Sequence, residues 1–191
     1  NDSGLFRTRG ELAQAGWTLE GNRFLRDGQI MLPLYEAKMT YIYTHRSGSF
    51  EAAAPGERPH RLPTPSDEQL ADPCYAPLPF YWVAKKEVDE ELDGVWDRGW
   101  LLGWRDVTDA RASVRAVIGF VLPRVAVGHT TPLFFPSHPP RLCATFLANL
   151  SSIPLDFAAR QKIGGLHLTY GYLRQFPVLK PNTYSASAPW D

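Results

Sequence analysis

The chain has 191 residues, 44% of them hydrophobic, which is enough to bury a core without metals or disulfides as staples. Its 20 Lys and Arg match its 20 Asp and Glu, so the molecule as a whole has no net field to steer it toward nucleic acid or membrane. Two cysteines, Cys74 and Cys143, stand far apart and in no metal spacing, which argues against a secreted disulfide scaffold and suits a reducing, cytoplasmic setting.

No signal-peptide pattern occurs, and no apolar run approaches the roughly 20 residues that span a bilayer. The chain opens at Asn1 and closes on a loose Pro/Ser stretch over 181–191, so it reads as one domain over 1–180 cut from something longer, with a tail or linker. In chain order, Thr8 and Glu11 have the spacing of a capping box for a short helix ending near Gly16. Residues 17–25 read as a hairpin turning at Glu20-Gly21-Asn22, and 30–35 and 39–44 as strands. Residues 45–79 are rich in Pro, Gly, Ser and charge, and predict a long surface excursion.

Residues 80–84 predict a strand and Lys86–Leu92 the start of an acidic, solvated helix. Another strand follows at 100–104. Thr108-Asp109 is placed to cap a turn carrying Arg111 and Arg115 on one side. From Val114 to Leu122 both alternating rows are mostly apolar, the pattern of a strand covered on two faces at the centre of a sheet. A helix over 142–150, a second restarted by Ser151-Ser152 and Pro154 and stopped at Gly164-Gly165, and a strand at 166–170 complete the reading. The class is α+β: a mixed, twisted sheet with packed helices and long loops.

Charge is uneven along this order. Residues 1–104 hold 11 Lys and Arg against 16 Asp and Glu, whereas residues 105–191 hold 9 against 4. The second half therefore predicts a basic face. Motifs of self-contained catalysis are missing: there is no Gly-rich phosphate loop, no HExxH pair among five histidines and no G-x-S-x-G. The acids at 87–93 read as a solvated helix face. The tyrosines and tryptophans at 35, 41, 43, 81, 82, 100 and 104 fall on expected strands, where core packing is the default.

Four blocks carry a family likeness: LPLYEAKMTYIYTHR (32–46), PFYWVAKKEV (79–88), WLLGWRDVTDARASVRAVIGFVLPRVAVGH (100–129) and LANLSSIPLDFAARQKIGGLHLTYGYLRQFPVL (147–179). Together they resemble the C-terminal target-recognition region of large N6-adenine DNA methyltransferases of restriction–modification and phage-defence systems. The sequence departs from that family's habit at Ala37, where Gly is usual, at Phe80, where Arg is frequent, and at Ala112-Ser113. The methyl-donor motif and the Asn-Pro-Pro-Tyr motif of the catalytic half have no counterpart. The resemblance implies that this segment recognises and clamps double-stranded DNA. Methyl transfer, S-adenosylmethionine and any fused endonuclease would then belong to an upstream catalytic domain, and this segment would bind no cofactor, metal or membrane of its own.

Extruding an adenine requires both strands to be held, by Lys and Arg on phosphates, while neighbouring bases are read in the major groove. The candidate DNA contacts are Lys38, Arg46, Arg105, Arg111, Arg115, Arg124, Arg160 and Lys162. Base reading is expected from the loops at 45–79 and 129–141. Against this stand an internal ion-pair role for the same arginines, a protein-interaction module that positions a separate methylase subunit, and an enzyme built on the acids near residue 90.

Overall fold

The computed structural model describes residues 2–54 and 56–187, and its architecture is α+β with two curled sheets. In the first sheet, strands β1 (Arg7–Thr8), β5 (Tyr81–Ala84), β4 (Gln29–Tyr35), β3 (Arg23–Arg26) and β2 (Thr18–Glu20) lie side by side in that order, antiparallel throughout. Strand β8 (Ala126–Val127) joins the far end of β4 in parallel, which makes the sheet mixed. The second sheet places β6 (Trp100–Trp104) between β7 (Gly119–Pro123) and β9 (Leu133–Phe134).

Local chemistry explains the first part of the chain. Thr8 caps helix α1 (Arg9–Gln14): its hydroxyl accepts from the Glu11 N–H while Glu11 reaches back to the Thr8 N–H at 2.7 Å. Strand β4 is covered on both faces. Leu32 and Leu34 enter the main core with Val83, Leu101, Phe120 and Leu122, while Met31 joins Leu12, Phe24 and Trp82 on the α1 side. Helix α3 (Lys85–Leu92) buries Val88 and Leu92 in the main core and leaves Glu90 and Glu91 exposed.

The excursion over 45–79 is fastened down. Phe50, Leu62 and Leu78 are buried, and the Phe50 N–H bonds to the Leu78 carbonyl at 2.9 Å. Inside it, Ser66 and Gln69 form a second capping box for helix α2 (Asp67–Ala71).

Three expected strands come out differently. Residues 39–44 form no strand: Met39 ends a 3-10 turn, and Tyr41 and Thr44 exchange backbone hydrogen bonds to close a tight turn. The strand expected from Val114 begins only at Gly119, because the N–H groups of Ala116 and Val117 are captured by the Asp156 carboxylate. Strand β7 is also an edge of its sheet; the centre is β6. At 166–170 a single bridge between Val107 and His167 replaces a strand, and helix α6 (Tyr170–Leu173) follows.

Helices α4 (Pro140–Leu150) and α5 (Ile153–Arg160) cover the outer face of the second sheet. Their buried Leu150, Leu155 and Ala159 pack with Trp104, Val117 and Leu168, and Leu147 packs with Leu102 and Cys143. In the expected tail, Pro181–Ser185 forms a 3-10 helix beside α4; residues 188–191 lie outside the described residues. Among the described residues, no single helix is long and apolar enough to cross a membrane.

Two glycines set how closely these layers approach. A Cβ on Gly119 would lie 2.9 Å from a Leu147 methyl, which can yield, whereas one on Gly103 would lie 2.9 Å from the Pro132 carbonyl oxygen, which is backbone and cannot. Gly103→Ala is therefore expected to lower stability by about 1–3 kcal/mol, the usual range for overpacking, read as a fall in denaturation midpoint. An unchanged midpoint would mean that β6 and β9 separate without resistance.

Candidate nucleic-acid interface

The sequence blocks at 104–118 and 152–168 come together in space, and one carboxylate joins them. Asp156, on the inner face of α5, is buried. Its Oδ1 accepts from the N–H groups of Ala116 at 2.9 Å and Val117 at 3.0 Å, and its Oδ2 accepts from Arg160 Nε at 2.9 Å. Arg115 Nε stands 3.3 Å from Oδ1. Burial pushes this carboxyl toward neutrality, but the Val117 N–H, the two guanidinium groups and the Ala116 N–H together outweigh it and hold its pKa below the ordinary carboxylate value.

Both Nη atoms of Arg160 and the Nη2 of Arg115 bind main chain. Arg160 donates to the carbonyls of Ala110 at 2.6 Å, Ser113 at 2.9 Å and Val114 at 2.8 Å, so the whole 109–115 turn is laced to α5. Arg115 donates to the Ser151 carbonyl at 2.6 Å, satisfying an orphan carbonyl at the end of α4. Beside them, the 105–108 and 166–168 segments zip together. Leu168 N–H donates to the Asp106 carbonyl at 2.7 Å, Thr108 N–H to the Leu166 carbonyl at 2.9 Å, and Asp106 Oδ2 meets His167 Nδ1 at 2.8 Å. Trp104 Nε1–H donates to the Leu168 carbonyl at 2.7 Å and pins the strand end beneath.

The eight cations singled out from the sequence divide by partner. Lys38 donates to the Pro59 carbonyl at 2.9 Å, lies 3.6 Å from Glu36 and sits over the Phe50 ring. Arg46 grips the carbonyls of Asp72 and Leu70, tying the excursion to its own helix. Arg124 reaches Asp89 of α3 at 3.3 Å and the Trp96 carbonyl at 2.6 Å. With Arg115 and Arg160 committed to Asp156, five of the eight are engaged inside the protein. Arg111 and Lys162 are exposed and pair with no carboxylate among the described residues. Arg111 and Arg115 do not share a side: Asp109 accepts from the Arg111 and Ala112 N–H groups and turns Arg111 outward, while Arg115 folds in.

Arg105 is half-buried, and its Nε, like that of Arg115, is sequestered from solvent with no hydrogen-bond partner among the described residues. Tyr41 and Tyr43 are both exposed, although their sequence context predicts strand residues in the core. Nothing in the local sequence separates them from buried tyrosines; their position follows from the turn at 41–44.

Asp89 is hydrogen-bonded by Lys85, which holds its carboxyl below the ordinary value against a smaller effect of burial, and Arg124 acts the same way. Among the described residues, no three His, Cys, Asp or Glu side chains gather as a metal would need. Comparison with protein-family models, curated proteins and solved structures found no match.

Asp156 gives a direct test of the scaffold. Removing one partner of a buried ion network costs about 3–5 kcal/mol, so Asp156→Ala is expected to destabilise the protein by that amount in denaturant titration. The carboxyl's folded pKa is depressed, so its contribution is complete above about pH 4 and is lost as pH falls through the folded value. His45 acts earlier. Burial, then the Arg46 charge, depress its pKa against a hydrogen bond to the Val121 backbone, so stability should already decline as pH drops below about 6.5. A profile flat from pH 7 to 4 in the wild type, with Asp156→Ala matching it in midpoint, would refute both assignments.

Proposed function

We propose that this chain recognises and clamps double-stranded DNA, as the target-recognition part of an N6-adenine DNA methyltransferase. One electrostatic observation carries the reading. Of the acids in residues 105–187, Asp106 is taken by His167, Asp109 by its own turn and Asp156 by Arg115 and Arg160. Arg105, Arg111, Arg141, Lys162, Arg174 and Lys180 meanwhile pair with no carboxylate among the described residues. A region whose carboxylates are engaged by His167, by a backbone turn and by two arginines, while six cations have no carboxylate partner among the described residues, carries a surplus of positive charge, which is the electrostatic footprint of a phosphate-binding surface.

The sequence resemblance supplies the particular polymer and the reaction. In that reading the cations hold phosphates, S-adenosylmethionine and the chemistry reside upstream, and Arg115, Arg124 and Arg160 serve the site by shaping its loops. Duplex affinity should fall steeply with salt. Arg111→Ala and Lys162→Ala should each flatten the log K against log[salt] slope by about 0.9, with no change in stability. Arg160→Ala should instead lower the unfolding midpoint. Binding that ignores salt, or an unaltered slope in both surface variants, would end the proposal.

A second reading has its own observation. On the outer side of α5, Ile153 is 76% and Phe157 68% exposed, one helical turn apart, and Val114 is 84% exposed. Such a face suits packing against a neighbouring protein domain. Ile153→Glu with Phe157→Glu in the intact methyltransferase should then reduce methylation while leaving duplex affinity of the 191-residue chain alone. Unreduced methylation would remove this role.

A further inference from the structure

Helix α3 breaks its own charge pattern at one place. Lys85 pairs with Asp89 and Lys86 with Glu90, each one turn along the helix. The next pair at this spacing is Glu87 with Glu91, two carboxylates that meet no cation among the described residues. Like charges so placed destabilise a helix, and Glu87, in the first turn, regains something from the helix dipole. Glu91, in the last turn, regains nothing, so the helix alone does not account for the pair.

Both carboxylates line a cleft of about 370 Å³ bounded by α3 and strands β8 and β9. Its depth is apolar: Leu34, Val83 and Leu101, none more than 5% exposed, form the bottom. Val88 and Leu92 of α3 line one side, Val127 and Leu133 the other, and Phe6 and Phe135 add two aromatic rings. The polar side chains of the lining are Asp2, Glu87 and Glu91. The cleft thus offers three carboxylates and no side-chain donor of any kind.

That inventory selects the occupant. A carboxylate accepts hydrogen bonds and cannot give them, so a bound molecule must donate at the rim and hide apolar surface below. Phosphates and peptide carbonyls find no side-chain donor here, so neither a nucleic acid nor an extended peptide is matched. An ammonium group on a flat apolar body answers both demands, and the volume falls within the ~300–1,000 Å³ usual for small-molecule sites.

We propose that the cleft beside α3 binds a small aromatic amine, its ammonium group held by Glu87 and Glu91 and its ring against Phe6 and Phe135. The site is independent of the DNA-binding reading, and its test involves no DNA.

Titrating the isotope-labelled 191-residue chain near neutral pH with tryptamine, tryptophol and indole-3-acetate compares one apolar ring carrying a cation, a neutral hydroxyl and an anion. Amide signals should move along α3 and β8. Tryptamine should bind about fivefold more tightly than tryptophol, the gain of one modest ion pair, and indole-3-acetate more weakly than either. Glu87→Gln with Glu91→Gln should bring tryptamine level with tryptophol while keeping the denaturation midpoint, and high salt should do the same in the wild type. Signals that move elsewhere, equal affinity for tryptamine and tryptophol in the wild type, or an advantage that survives the double substitution or high salt would each overturn the site. A chain that binds none of the three overturns it too. Should the double variant not fold, the salt comparison in the wild type decides.

Discussion

The second half of this protein depends on one buried carboxylate with four donors. Asp156 takes two main-chain N–H groups and two guanidinium groups, and in doing so decides where a strand stops and a loop starts. Had Ala116 and Val117 spent their N–H groups on a neighbouring strand, β7 would have run back toward Val114, as the apolar alternation suggests. The carboxylate takes those donors first, so residues 109–115 leave the sheet and are laced to α5 through Arg160. Buried ion networks of this kind add little net stability over a well-packed apolar alternative. What this one supplies is a fixed loop course, with Arg111 outside and Arg115 inside.

That division bears on how charge should be read. The basic surplus of the second half suggests a basic face, yet Arg115, Arg124 and Arg160 spend their charge on Asp156, Asp89 and backbone carbonyls. Arg115 is a helix-end donor for α4, and Arg160 is a three-carbonyl staple. These uses need the planar, multi-donor guanidinium rather than charge alone, which is why lysine would not replace it. The surplus that remains outward comes from residues with no such geometry around them, Arg111 and Lys162 foremost. Composition counts charges, and only the fold assigns their partners.

What was legible in the sequence was local. The capping box at Thr8 and Glu11, the hairpin turning after Glu20, the 100–104 strand and the Ser152 cap of α5 each depend on residues within one turn or one strand, and each forms. Where a distant partner intervenes, the local signal loses. The β-branched and aromatic run at 39–44 has strand propensity, but Met39 is needed in the core and its carbonyl accepts from Ser47 and Gly48, which bends the chain away. The apolar run from 114 loses its first residues to a carboxylate some 40 positions later. The His167 strand shrinks to one bridge because its partner, Val107, leads directly into the laced turn. Of the candidate site, the residue types were legible and their grouping was not: neither the unpartnered Arg105 nor the outward tyrosines follow from pattern or spacing.

Helix α5 links the two faces that matter. Its inner side carries Leu155, Asp156 and Ala159, which hold Trp104, Val117 and the 109–115 turn in place. Its outer side carries Ile153 and Phe157, both exposed among the described residues. A helix of two turns packed this firmly moves as one piece, so any displacement at its outer face is passed to the loop that carries Arg111 and to the end of the helix beside Lys162. A domain seated on Ile153 and Phe157 would therefore set the position of those cations without touching them. In the DNA-clamping role proposed above, that coupling would tie the grip on the duplex to the domain seated on α5.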